Sequence, residues 1–194
     1  PLVARRLGLT EPPPAAPAAT LEITAVGDTD AATVEYTLGE HPRADGRLLS
    51  QMALPDDTVV AMITRGTTVI PPRGSTRLQQ GDHLFVVLKP ETRPFVDCVF
   101  AQVAEAPRLD LPDPELRLKG STRVEDLRHS YGIDLAVEPQ LTLDQLLRRE
   151  LAEDLKDSGG LVLDNVCLQV RGMIGNRVTT VGLRPLPQAE DTPL

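Results

Sequence analysis

The sequence predicts an α+β protein of two small domains, a β-rich lobe followed by a mixed lobe. Three observations carry this. Apolar, β-branched runs at 58–64, 67–70 and 83–88 crowd three strands into 31 residues, with no room for a useful helix between them. Segments with apolar residues at helical spacing follow, at 90–103, 122–131 and from Thr142 onward. Between the first two of these lies AEAPRLDLPDP, residues 104–114, which holds three prolines and no periodicity and reads as a domain boundary.

At 194 residues the chain is long enough for one medium domain or two small ones. Aromatic residues make up only 3% and Trp is absent, so a core must rest on Val, Leu, Ile and Ala. The net charge of −8 argues against a phosphate-backbone surface, so no nucleic-acid partner is expected. Cys98 and Cys167 lie far apart and form no ligand pair, which predicts buried thiols in a reducing cytosol, with neither a disulfide nor a structural zinc. No window of 18 apolar residues exists to span a membrane. The start at Pro1, without methionine, is expected of a piece of something larger.

In chain order, Arg5 and Arg6 beside apolar residues fit the cytoplasmic exit of a transmembrane helix, or equally an ordinary terminus. Residues 11–19, EPPPAAPAA, form a semi-extended linker, so 1–19 is expected to tether the domain 20–103. Strands are expected at 20–26 and 32–38, and a short helix at 46–52, where Leu48, Leu49 and Met52 have helical spacing before Pro55. Strands 58–64 and 67–70 should pair as a tight antiparallel hairpin, and Gly81-Asp82 leads into the strand at 83–88. The helix at 90–103 presents Phe95, Val96, Val99, Phe100 and Val103 on one face, to the core or to another subunit. The second domain, 115–185, should open with a strand at 115–118. Thr122 with Glu125, and Thr142 with Gln145, have the spacing of capping boxes on two helices. Strands follow at 161–163, 166–170 and 178–183, the last two joined through Gly172 and Gly175, and 186–194 reads as a disordered tail.

Catalytic groupings are thin. His41, His83 and His129 are scattered without metal-ligand partners, and His129 is expected on a solvated helix surface. Asp56 with Asp57, and Asp110 with Asp113, flank prolines in turns, where Asp favours backbone capping over acid/base work. No Gly-rich phosphate cradle is present, so no cofactor and no enzymatic activity are expected. A strand as apolar as 59–63 is costly to leave at a free edge. Val59, Val60, Met62 and Ile63 are therefore candidates for a homodimer interface.

An apolar strand ending in Arg65-Gly66, a Pro71-Pro72 turn, Ser75-Thr76-Arg77-Leu78, then Gly81-Asp82 before an apolar strand resembles a TrkA-C module, the C-terminal lobe of regulators of potassium conductance, from about Ala31 to Gln102. From about Glu115 to Pro185, a helix opening on Thr142-Leu143, a Gly turn, the strand 166–170 and RVTTVGL at 177–183 resemble a CorC/HlyC transporter-associated domain. The two in succession are similar to the cytosolic tail of bacterial potassium/proton antiporters. The resemblance implies a transmembrane antiporter domain upstream of Pro1, a place on the cytoplasmic side of the inner membrane, and a homodimer. It also implies a regulatory small-ligand site near the start of the strand at 58–62, for an effector such as an adenine nucleotide. Arg43, Arg47 and Arg65, with the backbone of Thr58 and Val59, are the donors an anion would need there. Gln51 and Asp57 do not offer the charge favoured by a cyclic dinucleotide. The expected function is thus to sense a cytosolic ligand and gate transport. The alternatives are a purely structural assembly module and a carboxylate-dependent enzyme.

Overall fold

The computed structural model describes residues 19–24, 30–101, 115–151, 160–164 and 166–186. The first lobe is a five-stranded antiparallel sheet. Its strands are β1 (Ala19–Thr24), β2 (Ala32–Thr37), β3 (Val59–Arg65), β4 (Thr68–Ile70) and β5 (Asp82–Leu88), in the order β1-β2-β5-β3-β4. Period-two alternation sorts the faces. Val34 and Tyr36 of β2 and Leu84, Val86 and Leu88 of β5 are buried on the inner face, while Glu35, Phe85 and Val87 are half-buried on the outer one. Helix α1 (Arg93–Phe100) covers the inner face with Phe95, Val96, Val99 and Phe100, and the Phe100 ring sits 5.0 Å from that of Tyr36. Of the two explanations for this apolar helix face, the core is the one observed. The helix is shorter than its pattern, because Pro90–Thr92 is a 3-10 turn and Ala101 is extended.

β3 and β4 form the expected hairpin around Gly66, whose φ of +58° suits a tight two-residue turn. β3 carries a bulge between Val60 and Met62. Val59 faces Val87 and Met62 faces Phe85, so both belong to the outer face despite odd spacing; Val60, opposite Val86, turns inward.

The helix expected at 46–52 is only a 3-10 turn, Leu49–Gln51. Beside the bonds of that turn, its backbone groups bond across: Gly46 N–H donates to the Leu78 carbonyl (2.9 Å), Leu49 N–H to Thr76 (2.8 Å) and Ser50 N–H to Gly74 (3.0 Å). The neighbouring segment 74–78 thus outcompetes the helical pattern.

The second lobe is a four-stranded antiparallel sheet in the order β6-β9-β8-β7, made of β6 (Leu116–Lys119), β7 (Leu161–Leu163), β8 (Val166–Ile174) and β9 (Arg177–Pro185). It packs with α2 (Val124–Tyr131) and α3 (Leu143–Leu151). The Thr142 and Gln145 capping box forms, with Gln145 N–H donating to Thr142 Oγ1 (3.2 Å) and Thr142 N–H to Gln145 Oε1 (3.0 Å). The Thr122 and Glu125 box does not. The α2 amides Val124 and Glu125 donate to the carbonyls of Leu141 and Pro139, both at 2.9 Å, and Glu125 is taken by Arg123 and Gln140. Gly172 lies within β8 at a register shift, leaving the β8–β9 turn to Gly175 and Asn176. Cys98 and Cys167 are half-buried, not buried as expected.

The lobes share one continuous apolar cluster that includes Ile63, Leu84, Phe95, Leu118, Leu127 and Tyr131. Polar bonds register them. Pro55 bridges Leu118 in antiparallel fashion, and Asp56 N–H donates to the Arg117 carbonyl (2.8 Å). Thr180 Oγ1 donates to Asp56 Oδ2 (2.7 Å), and the buried Tyr131 hydroxyl to the Ala53 carbonyl (2.5 Å). His129 is exposed as expected, yet its Nε2 donates to the Arg43 carbonyl across the junction (3.0 Å). The linker at 104–114 and the ends of the chain, 1–18 and 187–194, lie outside the described residues.

Candidate functional site

A pocket of about 390 Å³ opens where the start of β3 meets the second lobe. Leu49, Ser50, Met52 and Leu54 line it from the 3-10 turn and the segment after it, and Thr58, Val59 and Val60 from β3. Pro72 and Gly74 close one side, and Lys119, Ser121 and Thr122 come from the turn between β6 and α2. The bend at 72–74 is held tightly against the turn, since a Cβ on Gly74 would stand 3.3 Å from that of Ser50.

The chemistry of this lining departs from that of the whole chain. No carboxylate lines the pocket, although the chain carries a net charge of −8. Its polar groups are four hydroxyl side chains and one ammonium, Lys119, which is exposed and has no carboxylate partner among the described residues. Thr58 is only 6% exposed, and its Oγ1 is buried without a hydrogen-bond partner. A hydroxyl left in that state costs about 1–3 kcal/mol of folding free energy.

Of the five candidate ligand residues, Thr58 and Val59 line this pocket, while the three arginines are built into the structure. Arg47 Nη2 donates to Asp126 Oδ1 at 2.5 Å across the lobe junction, with both side chains largely buried. Burial pushes the Asp126 carboxyl above its ordinary range, and the Arg47 charge only partly opposes this. Arg65 grips the fully buried Asp82 bidentately, Nε to Oδ1 at 2.6 Å and Nη2 to Oδ2 at 2.9 Å. This pair holds the guanidinium pKa above its usual value and caps the hairpin end of β3. Arg43 is 9% exposed, and its carbonyl is the acceptor of His129. Lys119, Ser121 and Thr122 were not singled out from sequence. The available signal was local: LKGST at 118–122 contains no acid, in a strongly acidic chain.

The four dimer candidates divide in the same way. Val59 is 59% exposed, and Met62 shares its outer face. Val60 is half-buried against the core and also lines the pocket, and Ile63 is fully buried within the protomer. β4 pairs only with Ile63, Thr64 and Arg65, so among the described residues the outer flank of 59–62 has no neighbouring strand.

A second cavity, about 430 Å³, also draws on both lobes and is lined in part by Asp56, Asp57, Lys89, Glu115, Arg117 and Arg184. Lys89 is paired there, while three arginines share the single carboxylate of Glu115. Lys89 Nζ donates to Asp57 Oδ2 (2.8 Å), and Glu115 Oε1 accepts from Arg171 Nη2 (2.5 Å) with Arg117 and Arg184 also close. Burial opposes ionisation of Glu115, but the arginines prevail and hold its carboxyl below the usual range. Asp56 and Asp57 thus hold Thr180 and Lys89 as structural acceptors, and Asp110 and Asp113 lie outside the described residues. No group of three His, Cys, Asp or Glu able to hold a metal occurs among the described residues, and no helix among them is long and apolar enough to cross a membrane.

Compared with protein-family models, residues 33–93 match the TrkA-C domain. Over 150 residues, 77% of this chain, the sequence is 27% identical to K(+)/H(+) antiporter NhaP2 of Shewanella baltica (strain OS223). It is also 27% identical over 150 residues to the protein of the same name from Shewanella oneidensis. Each match covers 26% of the relative, so the chain spans about a quarter of the length of these proteins. A solved structure of a functionally unknown conserved protein from Haemophilus influenzae Rd KW20 is similar over 40% of this chain and 96% of that one, with 20% identity and a TM-score of 0.34.

Proposed function

We propose that this chain is the regulatory cytosolic region of a potassium (cation)/proton antiporter, in which a TrkA-C lobe and a CorC/HlyC-type lobe sense a small cytosolic ligand and bias transport through a homodimer. The observation that carries the reading is the TrkA-C match at 33–93, set within a longer likeness to K(+)/H(+) antiporters. In this reading the membrane domain precedes Pro1, and the region lies on the cytoplasmic side of the cell membrane. The role is non-catalytic, and no nucleic acid takes part.

The pocket beside Thr58 supports a ligand role. It is concave, with apolar walls and several convergent polar groups, as small-molecule sites are. An adenine nucleotide suits it in kind, with apolar walls for a base and one ammonium for a phosphate. The outer face of the first sheet supports dimerisation, since Val59, Met62, Phe85, Val87 and Val69 leave a half-covered apolar surface next to an unpaired strand flank. A ligand biases transport only to the extent that it binds one arrangement of the assembly more tightly than the other.

Transport assays on the intact antiporter in everted vesicles test this. Addition of adenine nucleotides should shift the rate of potassium-driven proton movement, and deletion of residues 20–185 should abolish that response while transport persists. A response unchanged by the deletion would refute the sensing role, and loss of transporter assembly on deletion would favour the purely structural alternative.

A further inference from the structure

We infer that the second lobe supplies the anion-binding half of the pocket, through Lys119 and the hydroxyls of Ser121 and Thr122, so that a bound ligand clamps the two lobes together. This rests on the proposed ligand role of the pocket and adds to it which lobe holds which part of the ligand. The division of chemistry across the pocket is sharp. The first lobe contributes the apolar walls, Leu49, Met52, Leu54 and Val60, together with the partnerless Thr58 hydroxyl. The second lobe contributes polar side chains alone, and they include the one cation of the lining. The arginines near β3 are committed, Arg47 to Asp126 and Arg65 to Asp82. An anion seated here therefore meets Lys119 as its counter-charge.

The turn that carries Lys119 is fixed. Thr122 N–H donates to the Lys119 carbonyl (2.9 Å), and Gly120 N–H to the Thr179 carbonyl of β9 (2.7 Å). Gly120 packs so closely that a Cβ would lie 2.0 Å from the Val178 carbonyl oxygen. Thr58 of the first lobe and Lys119 of the second line the same pocket, so a ligand that touches both binds the present arrangement better than any in which the junction opens. The chemistry that fits is a phosphate or carboxylate on an apolar or planar body. Lysine acts on such a group as a point charge, and the four hydroxyls of the lining add hydrogen bonds.

Isothermal titration of the whole chain with AMP, adenosine and inorganic phosphate separates these contributions. AMP should bind more tightly than adenosine or phosphate. Lys119→Ala should weaken AMP about 10-fold, the loss of one charge-assisted contact, and leave adenosine binding and the melting temperature unchanged; Lys119→Arg should restore part of the loss. Hydrogen exchange on the wild-type chain should show AMP protecting amides on both sides of the junction, at β3 and at 116–122. If Lys119→Ala leaves AMP affinity intact while Thr58→Val weakens it, or if protection is confined to the first lobe, the clamp is overturned and the ligand site stands. If none of the three compounds binds, both fall.

Discussion

Replacing Thr58 by Val tests whether the pocket is kept at the expense of stability. The substitution exchanges a hydroxyl for a methyl group of nearly the same volume and keeps the β-branch that suits the start of β3. It leaves the Thr58 N–H bond to the Pro55 carbonyl (3.0 Å) untouched. What it removes is an oxygen that is buried and without a partner. Burying such a group costs about 1–3 kcal/mol, whereas an apolar group of the same shape at the same place costs nothing comparable. With Thr58 just 6% exposed, and allowing for partial hydration, the gain should be about 1 kcal/mol. For a chain of this size that corresponds to a rise in melting temperature of roughly 2–4 °C. Calorimetry without ligand, paired with AMP titration, should show the variant more stable and about 5-fold weaker in binding, the trade-off expected where a site is held in a strained or unsatisfied state. A fall in melting temperature would refute the reasoning, because it would mean that the hydroxyl is satisfied in solution by an ordered water that the valine expels.

Three further perturbations address the junction and the open face. Arg47→Met strands the largely buried Asp126 and should cost about 3 kcal/mol at neutral pH in urea unfolding. Because the folded-state pKa of Asp126 is raised, its ionisation weakens the fold as pH climbs through that value; without Arg47 the penalty grows, so the variant should regain stability in acid relative to wild type. Glu115 has the opposite sign. Its carboxyl is held below the ordinary range, so its contribution is present above that range and is lost as pH falls through the folded value. Glu115→Gln should flatten the acid limb of the stability curve. Met62→Lys places a charge on the outer sheet face without touching the inner core. It should shift sizing in solution towards monomer with a nearly unchanged melting temperature, and a dimer that persists would exclude this face as the interface.

Whether a feature could be read from the sequence depended on how far its cause lay along the chain. Strand runs and the Thr142 and Gln145 capping box are set within a few residues, and they appear as read. The Thr122 and Glu125 spacing has the same local form but fails, because the carbonyls of Leu141 and Pro139 arrive from a later segment and satisfy the α2 amides first. The arginines show the same limit more strongly. Arg47 looked like an available anion donor because its acceptor, Asp126, is 79 residues away; nothing near Arg47 signals that the charge is already matched. The β3 bulge, unmarked by glycine, hid which of Val59, Val60 and Met62 faces out.

This same distance rule has a functional side. A site whose donors come from one lobe would answer only to local structure. The pocket beside Thr58 instead borrows Lys119 from across a junction tied by Arg47 and Asp126, by Tyr131 and Ala53, and by Asp56 and Thr180. In the proposed ligand role, affinity is expected to depend on how the lobes sit against each other, and by reciprocity a ligand that depends on that arrangement must stabilise it by the same free energy. A substitution that loosens the junction far from the pocket, such as Arg47→Met, should then weaken AMP binding although Arg47 does not line the site, and a binding constant indifferent to Arg47→Met would show that the lobes and the pocket are not coupled.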